Sequence, residues 1–156
     1  MRLLPLAFAQ AAVLAAACGA PSPPPSCEAL PDGGWLFPAA SFATLATDGG
    51  RYEIAARSCP DNPPTRGDET VQYTITDPSG ARQDGLSLSV VPFMPAMGHG
   101  TSAKTAVTAI GNGVYLIDNV YFAMPGEWQL ITQIWAPGVP ASAPPSDSAT
   151  IAVEIN

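Results

Sequence analysis

The stretch Val71-Gln72-Tyr73-Thr74-Ile75-Thr76-Asp77-Pro78-Ser79-Gly80 carries the fold of this 156-residue chain in miniature. Val71, Tyr73 and Ile75 alternate with Gln72, Thr74 and Thr76, a period of two that marks a half-buried strand. Asp77-Pro78-Ser79-Gly80 then has the residues of a type I turn. The same grammar recurs outward from about residue 35. Leu86, Leu88 and Val90 alternate with Ser87 and Ser89, and Ile151, Val153 and Ile155 alternate with Ala152 and Glu154. Trp128, Leu130 and Ile134 share a face in the run 127–135, and strand-like runs occupy 51–57, 105–110 and 114–118. Gly111-Asn112-Gly113 joins two of these as a tight hairpin. Residues 137–145, rich in proline, read as a loop before the last strand.

About seven short strands with turn signals between them predict an all-β, immunoglobulin-like antiparallel β-sandwich, with a small closed barrel as the rival. The cysteine–tryptophan–cysteine spacing of antibody domains is absent, so the likeness is architectural. Composition agrees. Eighteen prolines and fourteen glycines argue against a helical bundle. A 47% hydrophobic content excludes a highly charged disordered chain. Thirteen acids against six bases, a net charge of −7, argue against a basic nucleic-acid-binding face.

Residues 1–17 carry one base, Arg2, then an apolar stretch ending in small residues, the pattern of a secretory signal. The run is short for a membrane-spanning helix, which needs about 20 residues. Leu14-Ala15-Ala16-Ala17-Cys18 resembles the bacterial lipoprotein signal, in which the cysteine is lipidated and becomes the first mature residue; its leucine stands one place further from the cysteine than in the commonest pattern. The alternative is an ordinary cleaved signal with Cys18 a spectator. Lipidation of Cys18 leaves Cys27 and Cys59, and two thiols in an oxidising compartment pair naturally. A metal site on Cys27 and Cys59 is the weaker reading, because neither has a histidine or another cysteine nearby. The expected organisation is a signal peptide (1–17), a lipidated Cys18 with a proline-rich tether (18–34), and a β-sandwich domain (35–156). Loss of Arg2 with the signal moves the net charge from −7 to −8, so attachment to an anionic membrane would come through lipid. Gly19 follows the cysteine where inner-membrane lipoproteins commonly carry aspartate, which points to the outer membrane, facing the periplasm, in an organism that has one.

The chemistry-bearing segment is Pro92-Phe93-Met94-Pro95-Ala96-Met97-Gly98-His99-Gly100, read as a loop because it holds two prolines and two glycines. It contains the only histidine and two of four methionines. Thioether sulfur with imidazole suits Cu(I) better than Zn(II), Ca(II) or Mg(II). Met94, Met97 and His99 place three such donors within six residues. Thioethers do not titrate, whereas imidazole ligation is lost on protonation. In Val120-Tyr121-Phe122-Ala123-Met124-Pro125-Gly126-Glu127-Trp128, Met124 supplies a further sulfur if both segments sit at one end of the sandwich, with Trp128 or Phe93 covering the metal. The packing alternative has Met94 and Met97 filling the open end, His99 capping a turn, and Met124 and Trp128 in the core. The acids, with Asp68-Glu69 the only adjacent pair singled out, read as a solvated face.

The segment Met94 to Gly100, the hairpin into Val114-Tyr115, the run Met124-Pro125-Gly126-Glu127-Trp128 and Arg66-Gly67 before the first long strand together resemble the YtkA-like family, related to FixH-like proteins, over roughly residues 65–156. The resemblance implies an exported, often membrane-tethered, immunoglobulin-like sandwich. It also implies a link to copper handling or respiratory oxidase assembly, carried onto Met94, Met97 and His99. Basic residues near the loop are sparse, with only Lys104, which speaks against anion binding.

Catalysis finds no support. No G-x-S-x-G elbow, phosphate loop or zinc spacing is present, and neither Cys27 nor Cys59 has a basic partner. Two functions remain. One is a lipid-anchored extracytoplasmic Cu(I)-binding or delivery module. The other is a non-metal lipoprotein interaction module whose loop docks an envelope or respiratory complex.

Overall fold

The computed structural model describes residues 26–156; the expected signal peptide, Cys18 and the first residues of the expected tether lie outside it. Among the described residues there is no helix. The strands are β1 (Glu28–Ala29), β2 (Trp35–Leu36), β3 (Ala43–Ala46), β4 (Glu53–Cys59), β5 (Gly67–Thr76), β6 (Ser87–Met94), β7 (His99–Gly100), β8 (Ala106–Gly111), β9 (Val114–Phe122), β10 (Gly126–Trp135) and β11 (Asp147–Ile155). They form a five-stranded sheet, β3-β4-β5-β9-β8, a four-stranded sheet, β11-β10-β6-β7, and a small β1-β2 hairpin, all antiparallel. The architecture is the expected sandwich, with eleven strands in place of about seven. Three of the eleven are two-residue pieces, too short for any period to reveal.

Alternation builds the core. Val71, Tyr73 and Ile75 of β5 are fully buried, as are Ile54 of β4 and Ile117 of β9. They face Val90 of β6, Leu130 and Ile134 of β10, and Ile151 and Ile155 of β11, in one continuous cluster. The Tyr73 hydroxyl meets the Thr132 hydroxyl at 3.1 Å, so the two sheets share one polar contact inside an apolar interior. Burial pushes the Tyr73 phenol above its ordinary range, and Thr132 only partly offsets this.

Turns follow their residues. Gly80 N–H donates to the Asp77 carbonyl at 2.9 Å, and the Asp77 carboxylate accepts from the backbone of Ser79 and Ala81. Between β8 and β9, Asn112 (φ 54°) and Gly113 (φ 68°) both lie in the left-handed region, as a two-residue hairpin of type I′ requires.

Cys27 and Cys59 form a disulfide, with Cα atoms 5.6 Å apart, so neither is free to ligate a metal. The bond fixes the β1-β2 hairpin against the end of β4. Its first strand, β1, lies within the segment expected to be tether, and β2 begins where the domain was expected to begin.

Candidate metal centre at one end of the sandwich

The expected loop 92–100 is shorter than its prolines suggest. Pro92, Phe93 and Met94 complete β6, with Pro92 opposite Leu130 and Phe93 opposite Gln129. Proline is tolerated there because beyond Phe93 and Met94 β6 has no second ladder partner, and an edge position needs no donor. Val90, Pro92 and Met94 are all buried, so the alternation runs through the proline.

The chain then reverses within four residues. The Met94 carbonyl accepts from the N–H groups of Met97 (3.1 Å) and Gly98 (3.0 Å), and Gly98 takes a left-handed φ of 69°. His99 returns directly opposite Met94, and Gly100 opposite Phe93. Opposed residues of an antiparallel pair project from the same face, with Cβ atoms about 4.5–5.5 Å apart. Gly100 makes this close return possible, because a Cβ there would collide with the Pro92 carbonyl oxygen.

The second segment lies at the same end. Gly126 begins β10, and a Cβ on it would stand 2.8 Å from the Met94 methyl carbon. Met94 therefore packs over the turn that follows Met124. The Trp128 indole N–H donates to the Met124 carbonyl at 2.9 Å, and its ring meets Phe122 edge-on at 5.5 Å. Trp128 is buried in the core and its one donor is engaged, so it is a floor to this end and no lid.

The four donors thus fall into two pairs. Met94, 6% exposed, belongs to the core cluster, and the half-buried Met124 packs against it. Met97, 53% exposed, and His99, two residues further on, are both exposed to solvent. The His99 Nδ1 lies 2.9 Å from the Gly100 carbonyl oxygen. A carbonyl only accepts, so Nδ1 carries the hydrogen, and the neutral ring keeps its lone pair on Nε2. Tying one ring nitrogen to a carbonyl is the usual way a histidine ligand is oriented. Among the described residues no three His, Cys, Asp or Glu side chains gather as a metal site. Any metal held at this end would therefore rest on the thioethers and Nε2.

Sequence reasoning misjudged Glu69. It is 3% exposed, not part of a solvated face, because residues 69, 71, 73 and 75 share the inward side of β5. The alternation seen from Val71 onward, extended two residues back, contained that signal. Its carboxylate accepts from the N–H of Thr65 (3.0 Å) and more loosely of Asp61 (3.4 Å), holding the 60–66 loop. Burial pushes the carboxyl up to about 7, against these two hydrogen bonds and with a small push from Asp61. Glu69 borders a cleft of about 430 Å³ with Trp35, Asp68 and Asp118. Asp147 is a second buried acid. Its carboxylate accepts from the Thr47 hydroxyl (2.6 Å) and from the N–H groups of Gly49 (2.7 Å), Ser148 (2.8 Å) and Arg51 (3.1 Å). Burial pushes its carboxyl up, but these bonds together hold it below the usual carboxylate range.

An antiparallel β-sandwich with a methionine–histidine turn at one end is the class that fold and site define. A family model described as YtkA-like matches residues 44–133, more than half of the chain, and the chain belongs to that family. The match begins in β3 rather than near residue 65, and ends within β10, so it includes both methionine turns but neither β11 nor the disulfide-bound hairpin. Searches among curated proteins and solved structures returned no match to the chain.

Proposed function

We propose that this YtkA-like protein is a lipid-anchored, extracytoplasmic Cu(I)-handling module, tethered through Cys18, with Met97 and His99 as the donors that first meet the metal. The reading rests above all on one observation: an exposed thioether lies two residues before an exposed imidazole whose Nδ1 is already tied back to the Gly100 carbonyl, leaving Nε2 open. A methionine with half its surface in water contributes little to packing, and thioether with imidazole is a soft set suited to Cu(I). Met94, opposite His99, and Met124 beneath the turn are the further sulfurs available to complete the coordination. The module binds and passes on the ion and performs no catalysis, and its partners are the membrane and a protein that gives or takes copper, such as a respiratory oxidase in assembly.

The burial of Met94 favours a second reading in one respect, since a packed thioether is a structural one. In that reading the turn offers Met97 and the exposed Val91 to a protein surface without any metal.

A Cu(I) titration of the protein against a colorimetric competitor separates the two. Met97→Ala and His99→Ala are expected to lose Cu(I) binding at unchanged thermal stability. Met94→Ala is expected to weaken binding and also to cost about 2–5 kcal/mol of stability, as buried methionine truncations do. Cu(I) retention that is absent in the parent, or equal in parent and variants, refutes the copper reading.

A further inference from the structure

Cys27 and Cys59 are bonded to each other, so among the described residues no free thiol remains to react. Disulfides persist in oxidising surroundings. The sulfur that such surroundings can still change is thioether, and the three methionines described differ sharply in access. Met94 is 6% exposed within the core cluster, and Met124 is half-buried against it. Met97 has about half its surface in water.

We infer that Met97 is a reversible oxidation site, at which a peroxide converts the thioether to its sulfoxide and so withdraws the methionine–histidine turn from Cu(I) exchange. The second half of this inference rests on the copper reading above. In the step with hydrogen peroxide, a lone pair on Met97 Sδ attacks one peroxide oxygen, and the S–O bond forms as the O–O bond breaks. Sulfur gives up two electrons, which leave with the departing hydroxide. That hydroxide takes the proton carried by the transferred oxygen and becomes water. A methionine sulfoxide reductase reverses the change, releasing the oxygen as water while two thiols become a disulfide.

The fold tolerates a sulfoxide at 97 and opposes one at 94. The turn does not depend on the Met97 side chain, because the N–H groups of Met97 and Gly98 both donate to the Met94 carbonyl and the backbone holds the reversal. A sulfoxide oxygen on a residue so exposed keeps its hydration. At Met94 the same oxygen would enter the core without a donor, which is costly. It would also crowd the start of β10, where even a Cβ on Gly126 would stand 2.8 Å from the Met94 methyl carbon. For the metal the change is one of donor type. A hard oxygen replaces a soft sulfur, and Cu(I) selects the sulfur. His99 Nε2 is then the only exposed donor of the original set, since Met94 lies inside and Met124 is half-buried.

The test is graded hydrogen peroxide treatment of the full-length protein, with excess peroxide removed before each reading. Peptide mass spectrometry locates the oxygen, thermal unfolding follows the fold, and Cu(I) titration against a competitor follows binding. The expected result is one added oxygen, on Met97 ahead of Met124 and Met94, at unchanged thermal stability, with Cu(I) binding falling to the level of Met97→Ala. The two epimer-specific methionine sulfoxide reductases should remove the oxygen and restore binding, relative to untreated protein carried through the same reduction. Untreated parent that binds no Cu(I) sinks the copper reading, and this proposal with it, before any oxidation. Parent that binds Cu(I) and keeps it when Met97 alone is oxidised overturns this proposal and leaves the copper reading standing. So does oxygen that appears first on Met94 or Met124, or binding that the reductases do not restore.

Discussion

Replacing Glu69 by glutamine tests whether a carboxyl enclosed between β5 and the 60–66 loop sets the pH response of the whole sandwich. In the folded protein the group is raised from 4.5 to about 7, chiefly by burial. Between those values the folded state holds a proton that the unfolded chain has released. Stability therefore declines as pH rises through this window and levels off above 7. The displacement corresponds to about 3 kcal/mol if the site were sealed. The adjoining cleft admits water to one side of the carboxylate, which reduces the expected change to roughly 1–2 kcal/mol. Glutamine has nearly the same shape, keeps one acceptor for the Thr65 amide and does not titrate. The assay is denaturant unfolding of parent and Glu69→Gln at intervals from pH 5 to pH 8, reading the difference in stability so that every other titrating group cancels. The variant should gain on the parent by that 1–2 kcal/mol across the series. A difference that stays level, or that moves toward the parent as pH rises, refutes the account.

Two further changes probe the elements that hold the site. Gly100→Ala should destabilise by about 1–3 kcal/mol, because the new methyl must displace the Pro92 carbonyl and the β6–β7 return with it; thermal unfolding measures the loss, and Cu(I) titration should show weaker binding as His99 moves. Asp147→Ala leaves three backbone N–H groups and the Thr47 hydroxyl without their acceptor, at a cost of about 2–3 kcal/mol. Because the Asp147 carboxyl is held below its usual range, its contribution is present above about pH 4 and lost as pH falls further. Acid unfolding of the parent should show that loss and the variant should lack it.

Much of the sandwich was legible because the runs at 71–76, 86–90, 127–135 and 151–155 carry the period of two in strongly apolar residues. Where the period fails, so does the reading. β3 alternates Ala43 and Leu45 against Thr44 and Ala46, but alanine contributes too little contrast to mark a face. β7 and the β1-β2 hairpin are two residues deep, and only their pairing partners reveal them. At the site, residue types identified the donors but not their division. Proline at 92 was read as punctuation, although Val90, Pro92 and Met94 keep step and all three are buried. Had the alternation been carried through it, Met94 would have been placed inside and Met97 outside. The Cys27–Cys59 bridge followed from counting thiols in an oxidising compartment, with no geometric information needed.

That bridge also fixes a path for mechanical load. A pull applied at the N-terminal side of Cys27 passes through the sulfurs to Cys59, at the end of β4, and from there into the ladder with β5. The chain between the two cysteines, holding β1, β2, β3 and most of β4, forms a closed loop that bears no tension while the bond stands. Reduction would put those strands in series with the rest. The 32-residue span between the cysteines, about 110 Å at full extension, would then lengthen only as β3 and β4 were stripped from the five-stranded sheet, so the bond keeps the load off that edge of the sheet.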